Sequence, residues 1–257
     1  MHIHKPKPLH GVRELLSEVG VIVVGIVIAL GLEQIVEGVR HGRETAEARE
    51  TIRAEVATDI TRTNQRVLKQ ACIDRRLDEL QAILDQRSAD GRIARPNWIG
   101  RPSRYAIESN RWDAATHSGR VSLLGADEQA TFGFMYAILS YYYDMENGEQ
   151  LVWAKIQALQ GVDNLTPDGL LTMRQLLGEA RFYNGSIRQI SKHIVERGRA
   201  AGLAPSARAD NSTTACWPMT LTSDEIASRT KASGDSANAA DAAAFDGRPG
   251  GVVGSGN

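Results

Sequence analysis

The sequence lacks the features that mark most enzymes and nucleic-acid-binding proteins. Its 257 residues carry 30 basic and 31 acidic side chains and a net charge of -1, so no basic surface field for nucleic acid is expected. Two cysteines are too few for a Cys-rich structural zinc site. Aromatic residues make up 5% of the chain and all follow residue 97, which argues against an all-β domain. The sequence contains no Gly-rich phosphate loop, HExxH or GxSxG motif.

The most informative segment is an apolar run near the N-terminus. Between Glu18 and Glu33 lie fourteen uncharged residues, VGVIVVGIVIALGL. As a helix this run is about 21 Å long, and extension to residues 15–36 gives about 33 Å, enough for the ~30 Å hydrocarbon layer of a bilayer. The extension places the carboxylates of Glu18 and Glu33 near the two interfaces. We therefore expect a transmembrane helix over residues 15–39.

Two other interpretations of the run stay open on sequence alone. A buried helix of a soluble protein has a similar composition, but here apolar side chains lie on every helical face. A cleaved signal peptide is the second, since Lys5, Lys7 and Arg13 form a basic n-region and residues 29–31 (ALG) form a small-x-small site. The helical pattern continues through that site without a break, which favours an uncleaved signal anchor.

The orientation of the chain is inferred from the length of its two flanks. Lys and Arg residues tie in number on the two sides of the run, so the positive-inside rule does not decide. Residues 1–14 are too few to fold, whereas long domains translocate largely regardless of charge. We expect a bacterial inner-membrane location, with residues 1–14 cytoplasmic and residues 40–257 periplasmic. Gly25 and Ala29 form one small-xxx-small pair that would let two such helices approach closely, with contact to lipid as the default.

A block of residues, KPxPxHG, precedes the apolar stretch, which ends in ALxxEQ. Its positions are Lys5, Pro6, Pro8, His10, Gly11, Ala29, Leu30, Glu33 and Gln34. The block resembles the N-terminus of a family of uncharacterised bacterial single-span membrane proteins, strongly over residues 5–40 and more loosely as far as residue 200. The resemblance implies one membrane span and a helical extracytoplasmic part. It transfers no catalytic residue, because the family has no assigned activity.

Beyond residue 40 the pattern predicts an all-α protein. Apolar or small residues recur at helical spacing from residue 48 to residue 84 among interleaved charges, so we expect the membrane helix to continue as one long helix to Gln86. Turn signals over residues 87–107 precede a short helix at 108–118. A longer helix follows at 127–160, with Phe134 among its inward residues, and Thr166 caps a last one. Together these helices predict an antiparallel bundle over residues 40–203.

The C-terminal part of the chain differs in composition from the bundle. Residues 204–230 form a Cys-containing extension, and residues 231–257 have too few bulky apolar side chains to fold, so we expect a disordered tail. In a reducing compartment Cys72 and Cys216 would be two unrelated buried thiols. Outside the inner membrane two lone cysteines more simply form a disulfide, which would hold the segment around Trp217 on the long helix.

Few residues are candidates for a ligand or catalytic site, and no cofactor or metal is expected. Asp113 and His117 are four apart on the short helix and share a face, which suits either a carboxylate-oriented histidine or an ordinary surface pair. Tyr142 belongs to a run of three tyrosines and either packs in the bundle or lines a ligand site. These are weak candidates, and the residue types alone do not separate the two roles.

Three function classes fit these features. We favour a non-enzymatic envelope scaffold or partner-binding protein, whose partners are the lipid bilayer and either a second copy or another membrane protein. A periplasmic ligand-sensing module that acts through a membrane partner would need a pocket lined by the tyrosines. An extracytoplasmic enzyme would need titratable groups that converge in a cleft near Asp113 and His117. An exposed apolar patch without such a pocket favours the first class.

Overall fold

The computed structural model describes residues 11–205 and 214–232, without the side chains of residues 12–14. Regular structure in these residues is helical, which confirms the all-α prediction, and one isolated bridge joins Arg92 and Asn164. The helices are α1 (Val12–Asp85), α2 (Asn110–His117), α3 (Ala126–Ile156) and α4 (Pro167–Ala200), and residues 223–232 are also helical. Residues 1–10 of the predicted arm and 233–257 of the predicted tail lie outside the described residues.

The described chain divides into two compact units, and α1 contributes to both. The first contains residues 11–53 and 110–129, and the second contains residues 54–109, 130–205 and 214–232. The division on α1 falls after Arg53. One reason is that Arg49 donates two hydrogen bonds, of 2.6 and 2.8 Å, to the carboxylate of Glu128 at the start of α3.

In the first unit α1 begins as an exposed apolar helix. Every residue from 15 to 39 is exposed, including Glu18, Gly25, Ala29 and Glu33. The most apolar window of 18 residues has a mean hydropathy of 2.6, and the described chain buries none of it. This part of α1 is long and apolar enough to cross a membrane. The predicted continuation as one uninterrupted helix to residue 85 is confirmed.

The second unit packs the later part of α1 against α3 and α4. Helices α1 and α3 run in the same direction, because the residue numbers of their contacting pairs increase together. Glu55 contacts Tyr136, and further along both helices Arg66 contacts Glu149. Helix α4 is antiparallel to α1, because the residue numbers on α4 decrease along the contacting pairs while those on α1 increase. The pairs are Asp74 with Arg188, Asp78 with Arg181 and Asp85 with Arg174. Thr166 caps α4 as predicted, accepting a hydrogen bond from the N–H of Gly169.

The hydrophobic core of the second unit is centred on Trp153, which is fully buried. The predicted stripes of α1 and α4 supply most of the surrounding residues, among them Ile73, Leu77, Leu80, Leu84, Leu176, Leu177 and Ala180. The prediction that Phe134 points inward is wrong, since its side chain is 44% exposed. Phe132, Met135 and Leu139 are buried instead, because the first half of α3 is rotated by about one residue from the stripe that the sequence suggested, whereas Val152 and Ile156 of the second half are buried as predicted.

The predicted loop after α1 is an extended segment that lies against both α1 and α3. Arg62 donates a hydrogen bond of 2.8 Å to the carbonyl of Ala106, and Gln150 donates one of 2.9 Å to the carbonyl of Pro102. The segment returns along the bundle because α1 and α3 run in the same direction, and a connection between them has to travel back over their length.

Residues 214–221 pack on this extended segment. The N–H of Ala215 donates to the carbonyl of Arg101 (3.0 Å), and the N–H of Trp98 donates to the carbonyl of Met219 (3.1 Å). The rings of Trp98 and Trp217 stack with their centroids 5.9 Å apart. Residues 214–221 of the Cys-containing extension are therefore part of the folded second unit, and residues 206–213 lie outside the described residues.

Cys72 and Cys216 lie at disulfide distance, as predicted, with their Cα atoms 5.1 Å apart. One turn further along α1, the buried guanidinium of Arg76 donates hydrogen bonds to the carbonyls of Ile99 and Trp217. The disulfide holds the segment of Cys216 on α1, and Arg76 holds both that segment and the extended segment at Ile99.

Loss of the disulfide is expected to destabilise the second unit. The bridge spans 144 residues, for which the chain-entropy model gives about 5 kcal/mol. We expect the variant Cys216→Ser to lower the free energy of unfolding of the detergent-solubilised full chain by about 2–5 kcal/mol, measured by chemical denaturation. A reductant should lower the stability of the wild type equally and leave the variant unchanged. Equal stability of the variant and the oxidised wild type would contradict the structural role of the bridge.

Candidate functional site

Asp113 and His117 lie on α2 in the first unit, and both are exposed. The Nδ1 atom of His117 is 2.6 Å from the backbone carbonyl oxygen of Asp113, so the contact is to the main chain of Asp113. Within the part of the chain that the structure describes, no three His, Cys, Asp or Glu side chains are grouped to hold a metal ion. The arrangement around this pair is that of an ordinary helix surface.

Tyr142 is fully buried in the second unit, whereas its neighbour Tyr141 is 52% exposed. The Tyr142 hydroxyl donates a hydrogen bond to the carboxylate of Glu146. Burial, and then the nearby charge of Glu146, raise the pKa of Tyr142 well above its ordinary value. These surroundings give Tyr142 a packing role, one of the two roles that the sequence left open.

An interior polar cluster joins α1, α3 and α4 in the second unit. Its centre consists of Arg66, Glu149 and Asn184, each no more than 3% exposed. The Nη2 atom of Arg66 donates to Glu149 Oε1 (2.5 Å) and to Asn184 Oδ1 (2.9 Å). Gln70 also donates to Asn184 Oδ1 (2.9 Å), and Asn184 Nδ2 donates to Asp74 (2.6 Å). The cluster fixes the register of three helices, since buried charges tolerate few alternative partners.

Burial raises the pKa of Glu149, and the charge of Arg66 and its hydrogen bond act in the opposite direction. Several polar atoms of this cluster are buried with no hydrogen-bond partner among the described residues: Arg66 Nε and Nη1, and Glu149 Oε2. In the poorly screened interior the contacts that are made are strong, and each buried atom without a partner carries an energetic cost. The ion pair is therefore a point where one substitution has a large effect.

Two further buried carboxyl groups hold the extended segment. The carboxylate of Asp59 on α1 accepts hydrogen bonds from the N–H of Glu108 (3.2 and 3.3 Å) and from Arg62 (3.1 Å). Glu146 on α3 accepts the N–H of Tyr105 (3.3 Å). Burial raises the pKa of each carboxyl to about 7. We call Asp59 and Glu146 the carboxyl clamp, because they bind the same segment from two different helices.

Sequence analysis missed the polar cluster and the clamp, although a signal was present. On α3 the buried residues follow one another at steps of three and four: Met135, Leu139, Tyr142, Glu146, Glu149, Trp153 and Ile156. The two glutamates occupy core positions of this series, which is unusual for charged residues. The correct phase of the helix would have identified both as buried and in need of partners.

The surface of the second unit exposes several large apolar side chains outside the apolar run. They lie on all three long helices and are between 44% and 67% exposed: Leu68, Phe134, Tyr141, Leu151, Leu171 and Phe182. A depression near Phe134 has three alanines among its seven lining residues, and the Arg197 guanidinium lies over the Phe134 ring, 5.2 Å from its centroid. None of the three consecutive tyrosines lines it. Exposed apolar surface is the observation that favours partner binding.

Comparisons with family models, with curated proteins and with solved structures yield no match. The resemblance to single-span bacterial membrane proteins therefore remains a prediction from residues 5–40.

The carboxyl clamp predicts that stability falls as pH rises. A carboxyl group whose pKa is raised on folding stabilises the protein at pH values below its unfolded pKa of about 4, and this contribution is lost as the pH approaches 7. The loss is about 1.4 kcal/mol per pH unit for each group in that window. We expect the melting temperature of the wild type to fall from pH 5 to pH 7, and that of Asp59→Asn/Glu146→Gln to fall less. Asp144→Asn, at an exposed position, is the control and should keep the pH dependence of the wild type. An unchanged slope of melting temperature against pH in the double variant would refute the role of Asp59 and Glu146.

The interior polar cluster predicts a double-mutant cycle with strong coupling. Arg66→Met leaves the Glu149 carboxylate buried without its cation, which should cost about 3–5 kcal/mol in free energy of unfolding. Arg66→Met/Glu149→Leu removes both charges and should regain most of that loss. Urea denaturation of the four proteins measures the coupling. Additive losses in the double variant would show that the pair does not act as a unit.

Proposed function

We propose that this protein is a non-enzymatic, single-pass membrane protein whose helical part binds partners on the extracytoplasmic side. The observation that supports this most is the exposure of residues 15–39, an apolar stretch on which the described chain places no other side chain. Exposed in water, such a surface would draw the chain into aggregates, whereas a bilayer of ~30 Å hydrocarbon thickness matches its length. The alternative of a buried helix in a soluble core finds no covering surface within the described residues.

The proximity of Cys72 and Cys216 supports the extracytoplasmic side. Disulfides persist in oxidising compartments such as the bacterial periplasm and are rare in the reducing cytosol. Placement of residues 40–257 in the periplasm would let this pair form and hold the extension around Trp217.

A partner-binding role is supported by the character of the surface. Several large apolar side chains of the second unit are exposed, while Asp113 and His117 lie on an open helix surface and Tyr142 is enclosed. No observation on the described residues favours an enzyme or a tyrosine-lined sensor. Cross-linking in intact cells, followed by identification of the copurifying proteins, is the direct way to find the partner.

Membrane insertion is tested by charges placed in the apolar run. Each Asp at the centre of a membrane helix costs about 2.5–3.5 kcal/mol of insertion free energy. We expect the wild type to stay with the membrane after alkaline carbonate extraction and Val23→Asp/Ile26→Asp to be released. Leu68→Asp alters an equally exposed apolar residue of α1 outside the run and should stay membrane-bound.

Protease added to spheroplasts should digest the chain beyond residue 40, and the intact mass of the purified protein should include residues 1–31. Release of the wild type by carbonate would contradict the anchor. Protection from protease would contradict the orientation. A mass that begins after Gly31 would show a cleaved signal peptide.

A further inference from the structure

One stretch of the first unit carries no carboxylate. No acidic residue lies between Asp113 and Asp127, and Arg120 is the one Lys or Arg there. The stretch contains the end of α2, a turn, and a short 3-10 helix (Arg120–Leu123). Gly119 has a φ of +74°, a left-handed conformation that ends α2 and that glycine adopts at little cost. Residues 117–120 are exposed, and we call residues 117–122 the α2–α3 turn.

The α2–α3 turn lies beside the part of α1 that directly follows the apolar run. The pKa of Glu44 is lowered by its hydrogen bond from Arg40 and, among smaller effects, by the nearby charge of Arg120. Five residues further along α1, Arg49 binds the carboxylate of Glu128 at the start of α3. The turn is therefore closer to the apolar run than the start of α3 is.

The helical rise gives the depth of the α2–α3 turn. Glu44 follows the end of the proposed membrane helix at residue 39 by five residues, which is about 7.5 Å along the helix axis. The headgroup layer on each side of the hydrocarbon is about 5–8 Å thick. A membrane-embedded α1 therefore places the turn at the surface of the bilayer. The inference rests on the proposed function in this respect, because the depth is measured from the membrane helix.

Arginines outnumber carboxylates at this level of the first unit. Arg40 donates a hydrogen bond of 2.8 Å to Glu44, and Glu37 is the other carboxylate between the apolar run and the turn. Arg43 and Arg120 are exposed, and neither forms an ion pair within the part of the chain that the structure describes. A planar guanidinium binds phosphate oxygens through two parallel hydrogen bonds. These two arginines are therefore available to bind phosphate at the bilayer surface.

We propose that the α2–α3 turn rests on the headgroup layer of the bilayer that holds α1, and that Arg43 and Arg120 bind the phosphate groups of its phospholipids. The contact gives the first unit a second attachment to the membrane, beside the membrane helix itself. The ligand is a phospholipid surface because both the depth and the charge of the turn match it. A free phosphate ion would need an enclosed site, whereas residues 117–120 are exposed.

The first test measures the depth of the turn. A nitroxide label on Ser118→Cys in the full chain, reconstituted in vesicles, should be relaxed by nickel chelated on lipid headgroups roughly threefold more strongly than a label on Thr58→Cys. Thr58 is the matched control, because it is exposed on α1 and lies 14 residues, about 21 Å, beyond Glu44. Equal relaxation of the two labels would overturn the placement of the turn.

The second test detects the phosphate contact. Solid-state NMR of the arginine-labelled full chain in vesicles measures how far lipid phosphorus dephases the guanidinium carbon signal. We expect Arg43→Gln/Arg120→Gln to lose about a third of the dephased signal, since the arginines that flank the membrane helix keep theirs. Arg92→Gln/Arg174→Gln removes two exposed arginines of the second unit and should leave the dephased signal unchanged. The same result for both double variants would refute phosphate binding by the turn.

Two further measurements separate the ways in which this inference can fail. Inorganic phosphate added to the buffer should leave the dephasing unchanged, and its loss would show a site for the free anion in place of a lipid contact. Carbonate extraction of the wild type and of each variant reports anchoring independently. Release of the wild type would contradict the proposed function itself, whereas an anchored chain with a turn remote from the headgroups would contradict the further inference alone.

Discussion

A helix satisfies its own backbone hydrogen bonds, so it can pass from lipid into water without a break. The proposed arrangement of this protein depends on that property of α1. Its first part is apolar on every face and exposed, and its later part buries one face in a hydrophobic core. Apolar surface in water costs about 25 cal/mol per Å². Contact with lipid would remove this cost, which is why we propose that the exposed part lies in a bilayer.

Buried polar contacts supplement the hydrophobic core of the second unit. Arg66, Glu149 and Asn184 connect three helices in the interior, and the carboxyl clamp holds the extended segment that α1 and α3 share. Buried ion pairs add less to stability than apolar packing does, but they penalise a shifted register strongly. The disulfide and Arg76 then fix the C-terminal segment on the same helix. On the outside of α4, Leu171 and Phe182 are exposed.

Residue spacing predicted the long elements well, because their apolar stripes are regular. The stripe of α1, the cap of α4 at Thr166 and the turn region after Gln86 are all found. The phase of α3 was wrong at Phe134, since apolar and aromatic residues lie on several of its faces and the stripe is ambiguous there. The resulting error of one residue concealed Glu146, whose burial is visible only once this part of the helix is correctly rotated.

Tertiary contacts explain what the sequence could not predict. The partners of Arg66 are 83 and 118 residues away, and Asp59 meets the main chain of Glu108 across a segment without regular structure. The pairing of Cys72 with Cys216 followed from the expected compartment together with the count of two cysteines. Asp113 and His117 are the opposite case. Their helical spacing predicted that they share a face, but both are exposed and form no pocket there.

The most direct measurement of the central claim is the depth of α1 in a bilayer. A nitroxide label attached at Ile26→Cys in the full chain, reconstituted in vesicles, should collide often with dissolved oxygen and rarely with a water-soluble nickel chelate. A label at Leu68→Cys, on the same helix beyond the apolar run, should show the reverse. Equal access of the nickel chelate to both labels would contradict a lipid-embedded helix.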